Sequence, residues 1–240
     1  QSGKEASVEI IATFLPKVVV ESLISALKRA DLEMQALTLE PIAAINVLIP
    51  QSMRRLNVAL VDIGAGTSDI AITDMSTVIA YGMVPVAGDE ITEAISDHLL
   101  LDFPLAEQAK RQLNNHDSIT VTDILGFEEE VAKNDIIEIF QPALIKLADS
   151  ISTEILSLNN NRSPKAVMLV GGGSLTPELP RLLAERLQLP SNRVAVRGID
   201  AIQNLTINPN VSQGPELVTP IGIAIAAQKN PVQYITVYVN

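Results

Sequence analysis

The sequence contains no cysteine, which excludes disulfide bonds and thiolate chemistry. Only two histidines are present, His98 and His116, too few and too isolated for a metal cluster or a hydrolytic triad. Positive charge is also scarce, because 17 Lys and Arg oppose 28 Asp and Glu for a formal net charge of −11. No nucleic-acid partner is expected, since neutralising phosphates requires a basic face. No apolar run reaches the length of a membrane span.

What remains is the composition expected of a cytoplasmic α/β protein. With 240 residues and 47% hydrophobic content, the chain can form one large core or two smaller ones. Helical spacing of apolar residues predicts helices over residues 16–30, 89–100, 104–113 and 134–158. β-prone runs predict strands over residues 8–14, 37–39, 57–63, 68–74, 77–86, 118–122, 165–170 and 232–239, with an acidic strand or turn at 124–131. We expect a mixed five-stranded sheet with helices on both faces.

The most informative stretch is VALVDIGAGTSDIAI, residues 58–72, which has the pattern of a strand, a glycine turn and a second strand. Glycines let backbone N–H groups approach a ligand closely, and carboxylates and a hydroxyl suit phosphate oxygens and a hydrated cation. The residues concerned are Asp62, Gly64, Ala65, Gly66, Thr67 and Asp69. The turn predicts a nucleotide site, with an ordinary tight Gly/Asp hairpin turn as the alternative.

A dinucleotide-binding fingerprint does not fit this turn. That motif opens a helix and carries a third glycine for packing the helix on the strand. Here position 69 is aspartate, and the residues that follow it, 70–73, are β-prone.

A second glycine-rich segment, VMLVGGGSLTPELPRLLAERL, covers residues 167–187. Three glycines follow its strand and remove every Cβ where a flat ring would approach the backbone: Gly171, Gly172 and Gly173. Ser174 and Thr176 are expected to cap the next helix, with Pro177 in its first turn. A glycine-rich strand-to-helix turn without a ligand is the alternative.

Two further features depend on acidic residues at helices. Glu107 and Lys110 lie three residues apart and share a helix face, which by itself is most simply a solvated surface pair. In LTLEPIAAINVLIP, residues 37–50, Glu40 precedes Pro41 at the start of a predicted apolar helix. Without further context, Glu40 reads as an acid favoured by the helix macrodipole.

Together these motifs resemble the actin-like ATPase superfamily, which includes actin, heat-shock chaperones, MreB and FtsA. DIGAGTSD is similar to its second phosphate loop, residues 167–187 to its adenosine motif, and residues 107–111 to its ribose- and adenine-contacting helix. The segment 217–227 resembles its final connecting helix, where small residues let two helices cross closely. The resemblance implies a ribonuclease-H-like α/β fold whose mixed sheet is flanked by helices, with a small inserted α+β subdomain at about residues 101–135.

The resemblance also implies ligands and roles. ATP or ADP would bind with Mg²⁺, with Asp62 holding the metal through water or orienting the nucleophile, and Glu40 positioning the attacking water. Glu107 and Lys110 would contact ribose, and Arg111 would offer a stacking plane for adenine. The remaining nucleotide-binding residues would be Gly64, Ala65, Gly66, Thr67, Gly171, Gly172, Gly173 and Ser174.

Within the superfamily, MVPVAGDEITEAI (residues 83–95) and its short spacing to AEQAK (residues 106–110) resemble FtsA. This implies a slowly hydrolysing cytoskeletal or membrane-adaptor component of bacterial cell division, peripheral to the inner face of the membrane. Expected partners are further copies or proteins of a division or pilus assembly, with membrane contact only through segments outside this chain. The alternatives are an ATP-dependent chaperone or reactivating factor, a PilM-type pilus-assembly adaptor with little or no turnover, and an interaction module without turnover.

The resemblance also predicts the domain organisation. Residues 1–50 correspond to the end of domain I with its connecting helix, and residues 51–240 to domain II. No earlier phosphate loop precedes residue 8, and the sequence starts with glutamine. We therefore expect a piece of a longer protein that lacks most of domain I, binds ATP weakly and is inactive as an ATPase on its own.

Overall fold

A five-stranded mixed sheet forms the centre of the structure, a computed structural model that describes residues 15–34, 37–202, 205–206, 208 and 213–229. The strands of these residues are β1 (Val58–Ile63), β2 (Ser68–Asp74), β3 (Thr77–Val84), β4 (Ser118–Thr122), β5 (Glu128–Ala132), β6 (Ala166–Val170) and β7 (Val194–Val196). The sheet order is β3-β2-β1-β6-β7, while β4 and β5 form a separate hairpin. β1 pairs antiparallel with β2 and parallel with β6.

Helices cover both faces of the sheet, as the sequence predicts. They are α1 (Lys17–Arg29), α2 (Glu40–Leu48), α3 (Gly88–Leu99), α4 (Phe103–Gln112), α5 (Lys133–Leu158), α6 (Leu179–Arg186) and α7 (Val218–Lys229). No described helix is long and apolar enough to cross a membrane.

The two faces of β1 belong to two different hydrophobic clusters. Ala59, Val61 and Ile63 pack into the larger cluster, which contains residues of α3, α4, α5 and α6. Val58 and Leu60 pack into the smaller one with residues of α2 and α7. Because side chains alternate along a strand, the residue after Val61 faces the α2 and α7 side.

Helices α2 and α7 cross at very short range. A Cβ at Gly222 of α7 would overlap the backbone carbonyl of Ala43 in α2, so only glycine fits at the crossing. Close crossing through a small residue is what the sequence predicts for this helix. The N-terminal turns of both helices are thereby held in a fixed relation.

Some predicted elements differ from the structure. Residues 37–39 form no strand; Leu39 is extended and precedes the first residue of α2. Strand β7 was not predicted, because three residues carry no alternation that a sequence pattern can reveal. Helix α1 is present, but none of its residues is buried. The predicted strands at 8–14 and 232–239 lie outside the described residues, and the division into domains stays a prediction.

Candidate functional site

Both glycine-rich segments leave the sheet at the same end of its strands. β1 and β6 are parallel and in register, with Asp62 opposite Val170, so the turns that follow these strands emerge side by side. A Cβ at Gly173 would lie only 2.9 Å from the carbonyl oxygen of Gly64. The carboxyl ends of adjacent parallel strands are a common ligand position in α/β folds.

The turn between β1 and β2 is exposed and internally braced. Gly64 donates its N–H to the Thr67 carbonyl at 3.0 Å, and the Gly64 carbonyl accepts the N–H of Gly88 at 3.1 Å. The Ala65 carbonyl accepts the N–H of Asp89 at 2.8 Å, which ties the turn to the start of α3. The N–H groups of Ala65, Gly66 and Thr67 donate to no residue of the described ranges. They are available to an anionic ligand.

The three glycines after β6 differ in whether the structure would accept a side chain at their position. Gly171 has a φ of 81°, and a Cβ there would overlap Asp62 and the carbonyl of Ile63. A Cβ at Gly173 would overlap the Ile63 side chain. Gly172 is exposed, and its added Cβ would approach only the Cβ of Glu216, at 4.0 Å. Of the three, Gly172 is the one that leaves open space for a ligand.

Ser174 and Thr176 do not cap the following helix, contrary to the prediction. Their hydroxyls donate to the carbonyls of Gly171, at 2.6 Å, and Gly173, at 2.8 Å. A short 3₁₀ turn, Gly172–Leu175, contains two of the glycines and precedes α6, whose N-cap is Glu178. Pro177 therefore precedes α6, and the buried Ser174 side chain stabilises the glycine turn itself.

Lys110 links α4 to the start of α3. Its Nζ donates to the Gly88 carbonyl at 3.0 Å and to Thr92 Oγ1 at 2.7 Å, and pairs with Glu107 Oε2 at 2.5 Å. Arg111 Nε donates to Glu107 Oε1 at 2.8 Å. Partial burial acts to raise the pKa of Glu107, but hydrogen bonds from Lys110, Thr92 and Arg111 outweigh it and lower that pKa.

Gly88 lies between this network and the two glycine-rich turns. A Cβ there would lie 3.1 Å from the Gly64 carbonyl oxygen, 3.4 Å from Lys110 Nζ and 3.8 Å from Gly173 Cα. The structure thus brings together the three motifs that the sequence singles out. Gly88 and Thr92 were not among the predicted site residues, although the VAGD turn that contains Gly88 was noted.

Asp62 of β1 is 7% exposed, and its side chain is hydrogen-bonded to helix α7. Thr219 Oγ1 donates to Asp62 Oδ2 at 2.5 Å. Burial raises the pKa of Asp62, the Thr219 hydrogen bond partly opposes the rise, and the charge of Asp69 adds to it. Thr219 lies 157 residues from Asp62 in the chain, and no local pattern could have identified the contact.

Glu40 and Asp69 complete a group of three carboxylates. Burial, followed by the charges of Asp62 and Asp69, raises the pKa of Glu40. Tyr81 donates its hydroxyl to Asp69 Oδ1 at 2.5 Å, and burial and this bond raise the pKa of the tyrosine. Within the described ranges, the Glu40 carboxylate has no hydrogen-bond donor or ion-pair partner. Tyr81 was missed, although hairpin pairing places it diagonally from Asp69.

The donor set suits a hydrated cation better than a directly bound one. Among the described residues, no three His, Asp or Glu side chains are arranged to hold a metal ion together. Mg²⁺ keeps several waters in most protein sites and needs only one or two carboxylates. The carboxylate group therefore fits a water-mediated magnesium site.

A known protein family matches the part of the chain that contains this site. The sequence profile of the family described as "Cell division protein FtsA" matches residues 59–222, which include the glycine turns, the Lys110 network and the α2-facing part of α7. The chain belongs to the FtsA family. Members of this family share the actin-like ATPase fold expected from the motifs.

Individual relatives agree with the family assignment. The FtsA of Bacillus subtilis is 25% identical over 225 residues, covering 89% of this chain and 48% of the relative. The FtsA of Pseudomonas aeruginosa is 24% identical over 212 residues, covering 82% and 50%. MreB of Escherichia coli is 27% identical over 173 residues, covering 63% and 50%. The chain spans about half the length of the curated relatives it matches.

Solved structures confirm the fold of this FtsA-family chain. A PilM-PilN type IV pilus biogenesis complex matches with a TM-score of 0.68 at 22% identity, covering 88% of this chain and 58% of that one. MreB5 of Spiroplasma citri bound to ADP matches with a TM-score of 0.66 at 18% identity, covering 89% and 66%.

Proposed function

We propose that this chain is the nucleotide-binding part of an FtsA-type actin-like protein, which binds ATP or ADP with Mg²⁺ and slowly hydrolyses ATP in bacterial cell division. The observation that carries the proposal is the meeting of three features at one sheet edge: the free N–H groups of residues 65–67, the open face of Gly172, and the carboxylates around Asp62. The ADP bound to the structurally similar MreB5 supports the choice of ligand.

The phosphates lie at the turn between β1 and β2, where the unpaired N–H groups of residues 65–67 favour anions. The adenosine lies against Gly172, since Gly171 and Gly173 already meet protein atoms. Arg111, with a side chain 77% exposed, is the candidate stacking plane for adenine. Glu107 is more exposed than Lys110, 25% against 12%, which supports Glu107 as the ribose contact that Lys110 holds in place.

Asp62 would hold Mg²⁺ through water, and the ion would neutralise phosphate charge when bound. Glu40 orients the attacking water, because its carboxylate is close to Asp62 and Asp69 and unpaired within the described residues. Desolvation, and after it the negative charges of Asp62 and Asp69, raises its pKa, and a bound cation would relieve the repulsion between these charges.

A PilM-type adaptor with little or no turnover is the second candidate, supported by the similarity to the PilM-PilN complex. The two functions share the nucleotide site and differ in hydrolysis. Steady-state ATPase activity of the full-length protein distinguishes them. Partners in either case are further copies or proteins of a division or pilus assembly, and the protein acts at the inner face of the membrane.

Calorimetric titration with Mg²⁺ and ATP tests the nucleotide site itself. Gly172→Val is expected to abolish measurable binding by filling the open face. Ala195→Val, which introduces the same side chain at an exposed residue of β7, is the control and should bind as the parent does. Equal binding by all three proteins would contradict the proposed site.

A further inference from the structure

Helices α2 and α7 each contribute one residue of the candidate site, at the same number of residues before the point where the two helices touch. Glu40 precedes Ala43 by three residues, and Thr219 precedes Gly222 by three. Because Ala43 and Gly222 meet backbone to backbone, each side chain lies about one helical turn from the same fixed point. The helix pair therefore fixes Thr219 and Glu40 relative to each other.

Thr219 constrains the Asp62 carboxylate asymmetrically. Oδ2 accepts the Thr219 hydroxyl, whereas Oδ1 lies so close to Gly171 that a Cβ there would overlap it. Within the described residues, Oδ1 accepts no hydrogen bond. One carboxylate oxygen is thus held by α7, and the other faces the glycine turn without a partner.

We propose that Thr219 is a positioning residue, which holds the Asp62 carboxylate in the orientation that lets its second oxygen receive a water of the hydrated magnesium ion. The inference rests on the proposed nucleotide function and adds a residue to which neither the motifs nor the family match assigns a role. A hydroxyl is suited to this task, since it donates to the charged form of a carboxylate without adding a competing charge.

Two substitutions separate the hydroxyl from the shape of the side chain. Thr219→Val keeps the branched shape and removes the donor, while Thr219→Ser keeps the donor. Nucleotide affinity is measured on the full-length protein by titration with ATP, once with Mg²⁺ and once with EDTA. Thr219→Val is expected to reduce the gain in affinity that Mg²⁺ provides by about tenfold, to leave affinity in EDTA within about twofold, and Thr219→Ser to restore the gain.

A double-mutant cycle of Thr219→Val and Asp62→Ala, measured by urea unfolding of this chain without nucleotide, tests the contact independently, because each substitution removes one partner of the hydrogen bond. The expected coupling is at least about threefold in the unfolding equilibrium constant. Absence of coupling overturns the contact. Coupling with an unchanged magnesium effect in Thr219→Val makes the contact merely structural and overturns the positioning role.

Failure of the proposed function gives a different result. If the parent binds no nucleotide under either condition while the cycle still shows coupling, the nucleotide proposal is wrong and the positioning role falls with it. If the parent binds nucleotide and Thr219→Val behaves like the parent, only the positioning role is wrong.

Discussion

At the residue scale, neighbouring glycines in one short run have different reasons to be glycine. Gly171 needs a positive φ and close approach to Asp62, and Gly173 packs on Ile63, whereas Gly172 faces open space. Local sequence cannot separate them, because the distinguishing neighbours come from β1, more than a hundred residues away in the chain. That all three contact adenosine stays a prediction, and the structure adds that Gly171 and Gly173 also have packing reasons to be glycine.

Alanine at these positions should separate stability from binding. Gly171→Ala and Gly173→Ala are expected to lower the free energy of unfolding by about 1–3 kcal/mol, because of strain and overlap with Ile63. Gly172→Ala should change it by less than about 0.5 kcal/mol. Urea unfolding monitored by circular dichroism measures all three, and an equal loss at Gly172 would show that it too is required by the fold.

The carboxylates should affect hydrolysis more than binding. Glu40→Ala or Asp62→Ala removes a charge next to the proposed reacting phosphate and is expected to raise the activation barrier by about 2–4 kcal/mol. Steady-state ATP hydrolysis and nucleotide titration of the full-length protein measure the two effects. If both variants hydrolyse ATP at the rate of an active parent, the catalytic roles are wrong.

Stability should depend on pH through these same two groups. Burial raises the pKa of Glu40 above 4.5 and that of Asp62 above 3.8, so the folded state retains protons that the unfolded state has released. Their contribution to stability is complete below about pH 3.8 and is lost as pH rises through the raised values. The unfolding free energy of the double variant Glu40→Gln, Asp62→Asn, relative to the parent, should therefore increase with pH from 4 to 7 in urea titrations; a difference that is constant across this range would contradict the shifts.

At the element scale, Lys110 connects α4 to the N-terminus of α3 and so to both glycine turns. Its side chain is 12% exposed and engages Glu107, Thr92 and the Gly88 carbonyl, while Arg111 reaches Glu107 from solvent. Partly buried pairs contribute more than exposed ones, because water and salt screen them less.

Replacing Lys110 by alanine should lower stability more than replacing Arg111 by alanine. Lys110→Ala is expected to lower the unfolding free energy by about 1–2 kcal/mol and to weaken nucleotide binding, since it removes the partly buried cation that pairs with Glu107 and donates to the Gly88 carbonyl. Arg111→Ala, the matched control on the same carboxylate, should cost less than about 0.5 kcal/mol. Urea unfolding and calorimetry compare them; equal stability losses would argue against the Lys110 link.

Elements with strong local signals were predicted from the sequence alone. The strands β2 and β4 have the predicted bounds, because alternating β-prone residues lie between clear turns. The start of α6 was misplaced, since the 3₁₀ turn at Gly172–Leu175 uses the hydroxyls that would otherwise cap the helix. Spacing within one helix predicted that Glu107 and Lys110 share a face. The Thr219 contact depends on α7 packing near β1, and the contacts of Lys110 with Gly88 and Thr92 depend on α4 packing on α3, which no spacing in the sequence encodes.

At the scale of the whole molecule, the turns of the candidate site are exposed at residues 64–67 and at Gly172. The described residues supply one phosphate turn, one glycine face and the carboxylates, and the chain spans about half the length of its curated FtsA relatives. Ligand sites in proteins gain affinity by enclosing the ligand from several sides, which also strengthens electrostatic contacts by excluding water.

Affinity should therefore be low for this chain and higher for the full-length protein. We expect ATP with Mg²⁺ to bind the 240-residue chain in the high-micromolar range or weaker, because about half of the phosphate contacts would come from the opposite domain. Binding to the full-length protein should be at least about tenfold tighter, since each further 1.4 kcal/mol of contact is worth a factor of ten. Calorimetry on both proteins under the same salt and magnesium concentrations measures the difference. Submicromolar binding by the chain alone would mean that the residues described here already complete the site, and the expectation of a second phosphate clamp would have to be abandoned.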